Sequence, residues 1–330
     1  MANEIVEQEQ IKYSYGNVIH NQLVINELRN KGLITVNDIT EIPESASVLV
    51  RAHGVSKTFY EETQKRNLKI YDATCPYVRN IQKKVEDMHL QGYRIIIVGS
   101  GMHPEVIGIN GYCNNSAIIV EEESDIEKLI PDSQNKYCSV AQTTFIKEKY
   151  EKITKELKKK FTLLEVFDTI CSATSIRQSE AVKLAANVDI MIVIGDPSSS
   201  NTRKLYEVCK EKCARTYLIS CAKQVEDIDI KYKEMVGITA GASTPDRIVR
   251  EVKETMEDNA KKGSGNSFEE MLEKSLVTLR NGQVVTGKVI GVNEKEVYLD
   301  IGFKIDGTIP AEEFPMVKDQ RQVAVGDKVE

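Results

Sequence analysis

From residue 1 to about residue 257 the chain repeats one pattern: a short aliphatic run, a loop rich in Gly, Ser, Thr or His, and an amphipathic stretch of helical period. The runs are Ser47–Val50, Arg94–Val98, Asp189–Ile194, Thr216–Ile219 and Glu234–Ile238. They are apolar on both faces, so they are expected to be buried parallel strands. Helices fill the gaps at Gln22–Lys31, Lys57–Arg66, Tyr77–Gln91, Ile146–Lys160, Ser175–Asn187, Thr202–Cys213 and Pro245–Asn259, several behind a Ser, Thr or Asp cap. Alternating strands and helices mean α/β layers. In such layers ligands gather beyond the carboxyl ends of the strands, where helix N-termini expose unpaired N–H groups.

The pattern stops at 258–267, a small, polar, glycine-rich stretch with the composition of a linker. Beyond Leu276 the period changes to strict alternation, in Gln283–Val292 and Glu296–Gly302, which is all-β in character. With 330 residues the chain has room for several cores, and its net charge of −6 with interleaved signs leaves no broad basic footprint for nucleic acid or membrane. No apolar stretch approaches the roughly 20 residues of a membrane span, and the opening residues lack the layout of a signal peptide. A cytoplasmic protein with a small-molecule partner is expected. Neither a Walker A loop nor Gly-x-Gly-x-x-Gly is present, which argues against a plain nucleotide-binding protein.

Candidate chemistry lies in the loops. His20, His53 and His103 each stand in or beside a loop after an apolar run, whereas His89 falls inside a helix. One loop histidine is most often a cap, but three in equivalent settings point to anion binding or proton transfer, since imidazole donates hydrogen bonds and titrates near neutrality. Glu105 follows His103 across Pro104, a stiff arrangement able to hold a carboxyl over a site. As a general acid it needs a raised pKa. Thr143 and Thr144, the run Ser199, Ser200 and Asn201, and Ser243 all precede helices. Each alone reads as an N-cap, and together they offer hydroxyls and helix N-termini suited to a diphosphate.

The seven cysteines, at 75, 113, 138, 171, 209, 213 and 221, include no Cys-x-x-Cys pair, which argues against a compact zinc or ferredoxin-like run. Cys75 and Cys171 both stand where a strand gives way to a helix, a polar setting that favours the thiolate and can ligate iron. Cys209, Cys213 and Cys221 read as packing residues, and Cys113 and Cys138 carry no signal.

Residues 1 to about 257 resemble the hydroxymethylbutenyl diphosphate reductases of isoprenoid synthesis. The carriers are Ala-His-Gly-Val-Ser at 52–56, Asp-Ala-Thr-Cys-Pro at 72–76, His-Pro-Glu at 103–105, Gln-Thr-Thr at 142–144, Ile-Cys-Ser-Ala-Thr at 170–174, Ser-Ser-Asn at 199–201 and Thr-Ala-Gly-Ala-Ser-Thr-Pro-Asp at 239–246. The resemblance implies three similar α/β domains, at 1–75, 76–170 and 171–257, around a central 4Fe-4S cluster fed by a donor such as ferredoxin or flavodoxin. It implies Cys75 and Cys171 as cluster ligands, Glu105 as proton donor, Thr143 as the group that places the substrate hydroxyl, and His103 as a support for proton delivery. His20, His53, His103, Thr143, Ser199, Ser200, Asn201 and Ser243 would bind the allylic diphosphate. The family's first ligand lies in an N-terminal Gly-Phe-Cys-x-Gly-Val motif, and this sequence, opening Met1-Ala2-Asn3-Glu4-Ile5-Val6, contains no such cysteine. The expectation is a truncated chain short of one ligand, one strand and part of a helix, with its activity in question.

After a linker at 258–273, residues 274–330 resemble part of an RNA-binding OB-fold of the ribosomal protein S-one type, through Gly287-Lys288-Val289, the stretch 300–307 and Ile309-Pro310. RNA recognition uses a basic groove and stacking aromatics. This stretch is charge-balanced and offers only Tyr298, Phe303 and Phe314, so the balance is against RNA contact by it. The competing functional reading is a non-catalytic or RNA-associated fusion protein that keeps a diphosphate-binding site.

Overall fold

The structure, a computed structural model, describes residues 11–231, 233–262, 285–293, 296–301, 307–314, 316–317, 320–321 and 323–329. The expectations for Met1–Val6, most of the linker and Phe303 lie outside the described residues. The chain divides into two compact units, Met1–Cys171 and Ser172–Glu330.

The first unit holds two parallel sheets. Strands β1 (Tyr13–Tyr15), β2 (Ile34–Val36), β3 (Ser47–Val50) and β4 (Lys69–Asp72) lie in the order β2-β1-β3-β4. Strands β5 (Arg94–Val98), β6 (Ile118–Val120), β7 (Tyr137–Ala141) and β8 (Leu164–Val166) repeat it as β6-β5-β7-β8. Five helices lie between and beside these strands: α1 (Gln22–Asn30), α2 (Lys57–Lys65), α3 (Pro76–Leu90), α4 (Pro104–Asn110) and α5 (Glu123–Glu127), with α6 (Lys147–Lys160) before β8. Cores form where a helix stripe meets a sheet face. Ile81, Val85 and Met88 of α3 pack on Ile95 and Ile97 of β5, while Tyr150, Ile153 and Leu157 of α6 pack on Ile96 and Val98 of the opposite face. The central strands β3 and β5 are covered on both faces, which is why they read as continuous apolar runs.

In the second unit, helix α7 (Ser172–Ala185) precedes β9 (Ile190–Ile194), α8 (Ser200–Lys210), β10 (Thr216–Ile219), β11 (Val236–Ala240) and α9 (Asp246–Lys262). The three strands form a parallel sheet ordered β10-β9-β11, with every residue of β9 buried. Ile192 sits at its centre, paired in register with Tyr217 and Ile238. Ile192→Ala is expected to cost about 2–5 kcal/mol, because two flanking strands hold the cavity open. Urea unfolding of the variant measures it.

Strands β12 (Gly287–Val292), β13 (Glu296–Asp300), β14 (Gly307–Pro310) and β17 (Lys328–Val329) make a separate antiparallel sheet ordered β14-β13-β12-β17. Its core is Val289, Val297, Leu299 and Ala311. Strands β15 (Met316–Val317) and β16 (Gln320–Arg321) pair beside it in sequence. No helix among the described residues is long and apolar enough to cross a membrane.

One expected strand shifts. The run at 234–238 enters the sheet only at Val236, because the Glu234 carboxylate is held by the Lys231 N–H and Arg215, and Met235 N–H donates to Asp189.

Candidate functional site

In all three parallel sheets the first strand lies between the second and the third, so successive crossovers leave in opposite directions and open a crevice at the carboxyl ends of the first and third strands. Every cluster of candidate residues falls on such a pair of loops. The loop after β1 carries His20 and the loop after β3 carries His53. The loop after β5 carries His103 and Glu105, and the one after β7 carries Thr143. The loop after β9 leads to Ser199, Ser200 and Asn201, and the loop after β11 holds Ser243. The loops after the fourth strands, β4 and β8, carry Cys75 and Cys171.

Within the first unit the two sheets turn these edges toward one another. The ring centres of His20 and His53 are 4.5 Å apart, those of His20 and His103 5.6 Å, and those of His53 and His103 5.5 Å. The approach depends on Gly111, where an added Cβ would lie 2.3 Å from the Ser56 side chain. His103 caps α4, and its Nδ1 accepts the Glu105 N–H at 3.2 Å. With Nδ1 accepting, Nε2 is the ring nitrogen placed to donate.

His53 is held neutral. Burial pushes its pKa down from 6.5 to about 2, reinforced by His20, His103 and Arg51, and its Nδ1 is a buried nitrogen with no hydrogen-bond partner among the described residues. Imidazole ligand atoms within 4.8 Å of one another can hold zinc as readily as an anion. The Arg51 charge acting on the cluster favours the anion. The sign of the shift sets a stability effect. The unfolded chain takes up the His53 proton below about 6.5 and the folded chain does not until about 2, so native stability is full above that window and falls as pH drops through it. The slope from this group is about 1.4 kcal/mol per pH unit. Chemical denaturation at several pH values should show that slope, and His53→Gln should remove it.

Glu105 is a buried carboxyl, 2% exposed, at the start of α4 behind Pro104. It receives both donors of one residue: Thr143 N–H to Oε1 at 2.6 Å and Thr143 Oγ1 to Oε2 at 2.7 Å. The Oγ1–Oε2 contact joins two groups that can each carry a proton, an arrangement able to pass one in either direction. Gln142 braces it. Its Oε1 accepts the Ser100 N–H at 3.2 Å, and its Nε2 donates to Thr144 Oγ1 at 3.0 Å, tying the His103 loop to the Thr143 loop. The sequence did not single out Gln142 beyond its place in Gln-Thr-Thr. The available signal was a polar side chain directly after the five buried residues of β7.

The cysteines separate chemically. Burial pushes the Cys113 thiol up, and those of Cys138 and Cys209 to about 12. Cys213 is also buried. Cys75 and Cys171 are only partly buried. Cys75 is the N-cap of α3 and Cys171 directly precedes α7, where the helix N-terminus favours a thiolate. Their backbones are anchored to the site loops, Cys75 N–H to Ala52 O at 2.9 Å and Cys171 N–H to Thr143 O at 3.0 Å. This donor pair fits iron better than any buried thiol of the chain. His89 lies in α3 and contacts Asn114 at 3.3 Å, apart from this chemistry.

In the second unit Ser199 caps α8, and Ser243 Oγ donates to Ser199 Oγ at 3.4 Å. Asn201 is 7% exposed, and its Nδ2 is buried without a hydrogen-bond partner among the described residues. A buried donor without a partner at a helix N-terminus is costly until an acceptor arrives, and a phosphate oxygen meets that need.

The sequence profile of the LytB protein family matches residues 1–257, and that of the S1 RNA binding domain matches residues 278–330. A 4-hydroxy-3-methylbut-2-enyl diphosphate reductase of Clostridium acetobutylicum is 40% identical over 328 residues, covering 96% of this chain, which spans about half, 50%, of that relative's length. The protein of the same name from Clostridioides difficile is 44% identical over 250 residues, 76% of this chain and 89% of its own. Among solved structures, the E-1-hydroxy-2-methyl-but-2-enyl-4-diphosphate reductase of Plasmodium falciparum superposes with a TM-score of 0.72 at 30% identity, covering 76% of this chain and 80% of its own.

Proposed function

This chain belongs to the LytB protein family, and from that premise we propose that it reduces 4-hydroxy-3-methylbut-2-enyl diphosphate to isopentenyl and dimethylallyl diphosphates, the last step of the non-mevalonate isoprenoid route. The reaction consumes two electrons and two protons. The C–O bond breaks, the hydroxyl oxygen leaves as water with one proton, and the allylic carbons take the electron pair and the second proton.

The observation that carries the reading is the buried Glu105–Thr143 pair in the same unit as three clustered imidazoles. In this reading His20, His53 and His103 donate to the diphosphate, and His53, held neutral, need not be protonated for the anion to bind. Thr143 orients the hydroxyl that leaves. Glu105 passes a proton through Thr143 Oγ1 to that oxygen, and His103, bonded to the Glu105 backbone, holds the start of α4 while that proton moves. Ser199, Ser200, Asn201 and Ser243 are phosphate donors by the same chemistry, using hydroxyls and the first N–H groups of α8. Cys75 and Cys171 are the residues that would hold a cluster, which we assign to the 4Fe-4S type. When bound, it supplies electrons singly and Lewis acidity toward the hydroxyl. A ferredoxin or flavodoxin would deliver those electrons.

We also infer the division 1–75, 76–170 and 171–257, each with one parallel sheet, followed by a linker at 258–273 and a β domain at 274–330. The test of the whole reading is anaerobic reconstitution with iron and sulfide, then incubation with the hydroxylated diphosphate and a one-electron reductant. Both products should appear by mass spectrometry. A loaded protein that leaves the substrate intact sinks the reading. A second reading, RNA association without catalysis, draws on the S1 match, and binding of a single-stranded RNA by the unloaded chain would favour it.

A further inference from the structure

Arg51 is the first residue after β3, two positions before His53, and its side chain runs from the His53 loop to the His20 loop. Its Nε donates to Gly54 O at 3.3 Å on one side. On the other its guanidinium lies against Gly16, where an added Cβ would come within 2.4 Å of an η nitrogen, and φ is +72°. The guanidinium carbon stands 6.0 Å from the centre of the Tyr15 ring. The backbone joins the same two loops, Ala52 N–H to Val18 O at 3.2 Å. The side chain is partly buried, and among the described residues no carboxylate is paired with it. A desolvated cation without a counterion is costly, and His53, on which its charge acts, adds no negative charge.

We propose that Arg51 is the fixed positive charge of the histidine cluster, a positioning residue that locks the His20 and His53 loops together and makes the cluster select a multiply charged anion, a diphosphate over a monophosphate. The imidazoles supply hydrogen-bond donors, and the buried His53 supplies no net charge. Arg51 supplies the charge, which grows in value with each negative charge on the ligand. The proposal rests on the diphosphate reading of this site and adds to it the source of the site's selectivity.

The test is calorimetric titration of the full chain with inorganic pyrophosphate and with orthophosphate, at low and high salt. Arg51→Met keeps the aliphatic stem and loses the charge. It should weaken pyrophosphate binding roughly 10- to 100-fold, as for loss of a charge-assisted contact. It should also flatten the salt dependence and narrow the preference for pyrophosphate over orthophosphate. Arg51→Lys should keep most of all three. Should Arg51→Met unfold, Arg51→Gln, which retains a donor for Gly54 O, decides on the same readouts. Native affinity with unchanged salt dependence in the uncharged variant overturns the proposal, as does a Lys variant as weak as the Met one. A native chain that binds no pyrophosphate overturns the diphosphate reading and Arg51's role together, so the two failures are told apart by the parent protein.

Discussion

Replacing Glu105 with Gln should stop turnover in the cluster-loaded protein while leaving its iron and sulfide content at the parent level. The amide keeps an oxygen to accept the Thr143 N–H, so the loop geometry at 2.6 Å is largely preserved. What it lacks is a proton that can be lost and regained. General acid catalysis contributes about 100- to 10,000-fold, and the loss should fall in that range. It should appear in kcat rather than KM, since the diphosphate donors are untouched. Thr143→Val tests the other half of the relay, and it should lose turnover too because it removes the Oγ1 that is bonded to Oε2. A Glu105→Gln protein with parent kcat would remove Glu105 from the acid role.

The second large effect concerns iron. Cys75→Ser and Cys171→Ser should each bring iron and acid-labile sulfide after anaerobic reconstitution close to background, with loss of the brown colour, since serine is a poor ligand for iron–sulfur clusters. Cys209→Ala should keep the parent content, because that thiol is buried in an apolar setting that disfavours the thiolate. Parent-level iron in both serine variants would refute the ligand assignment. Loss of iron in Cys209→Ala with an unchanged melting curve would do the same from the other side.

The parts of the fold legible in sequence were those buried on both faces. Arg94–Val98 matches β5 to the residue and Ser47–Val50 matches β3, because a central parallel strand leaves no polar gap to blur its ends. Strands broken by polar residues were not legible, whether at an edge like β4 or inside a sheet like β7, whereas the edge strand β10 matches the run Thr216–Ile219. Strand β4, Lys69–Asp72, is charged at both ends, and β7, Tyr137–Ala141, carries a buried Ser139 and Cys138, so neither reads as an aliphatic run. Helices α4 and α5 have 7 and 5 residues, too short for a 3.6-residue period to emerge. The candidate site was legible as a set of residue types before helices. Its arrangement was not: the Glu105–Thr143 pairing spans 38 positions, and nothing local encodes it. Arg51 escaped notice for the opposite reason. It reads as an ordinary polar end to a strand, and only the packing against Gly16 and Gly54 gives it meaning.

The two anchoring bonds of the thiol-bearing segments, Cys75 N–H to Ala52 O and Cys171 N–H to Thr143 O, couple the state of each cysteine to a neighbouring loop. A group bound to those thiols would stabilise the anchored conformation by mass action and slow the opening of both bonds. The amides of Cys75 and Cys171 are therefore built-in reporters of loading. Their deuterium uptake should slow together when the protein is charged with iron and sulfide, and should quicken together under a chelator, before any global unfolding is seen.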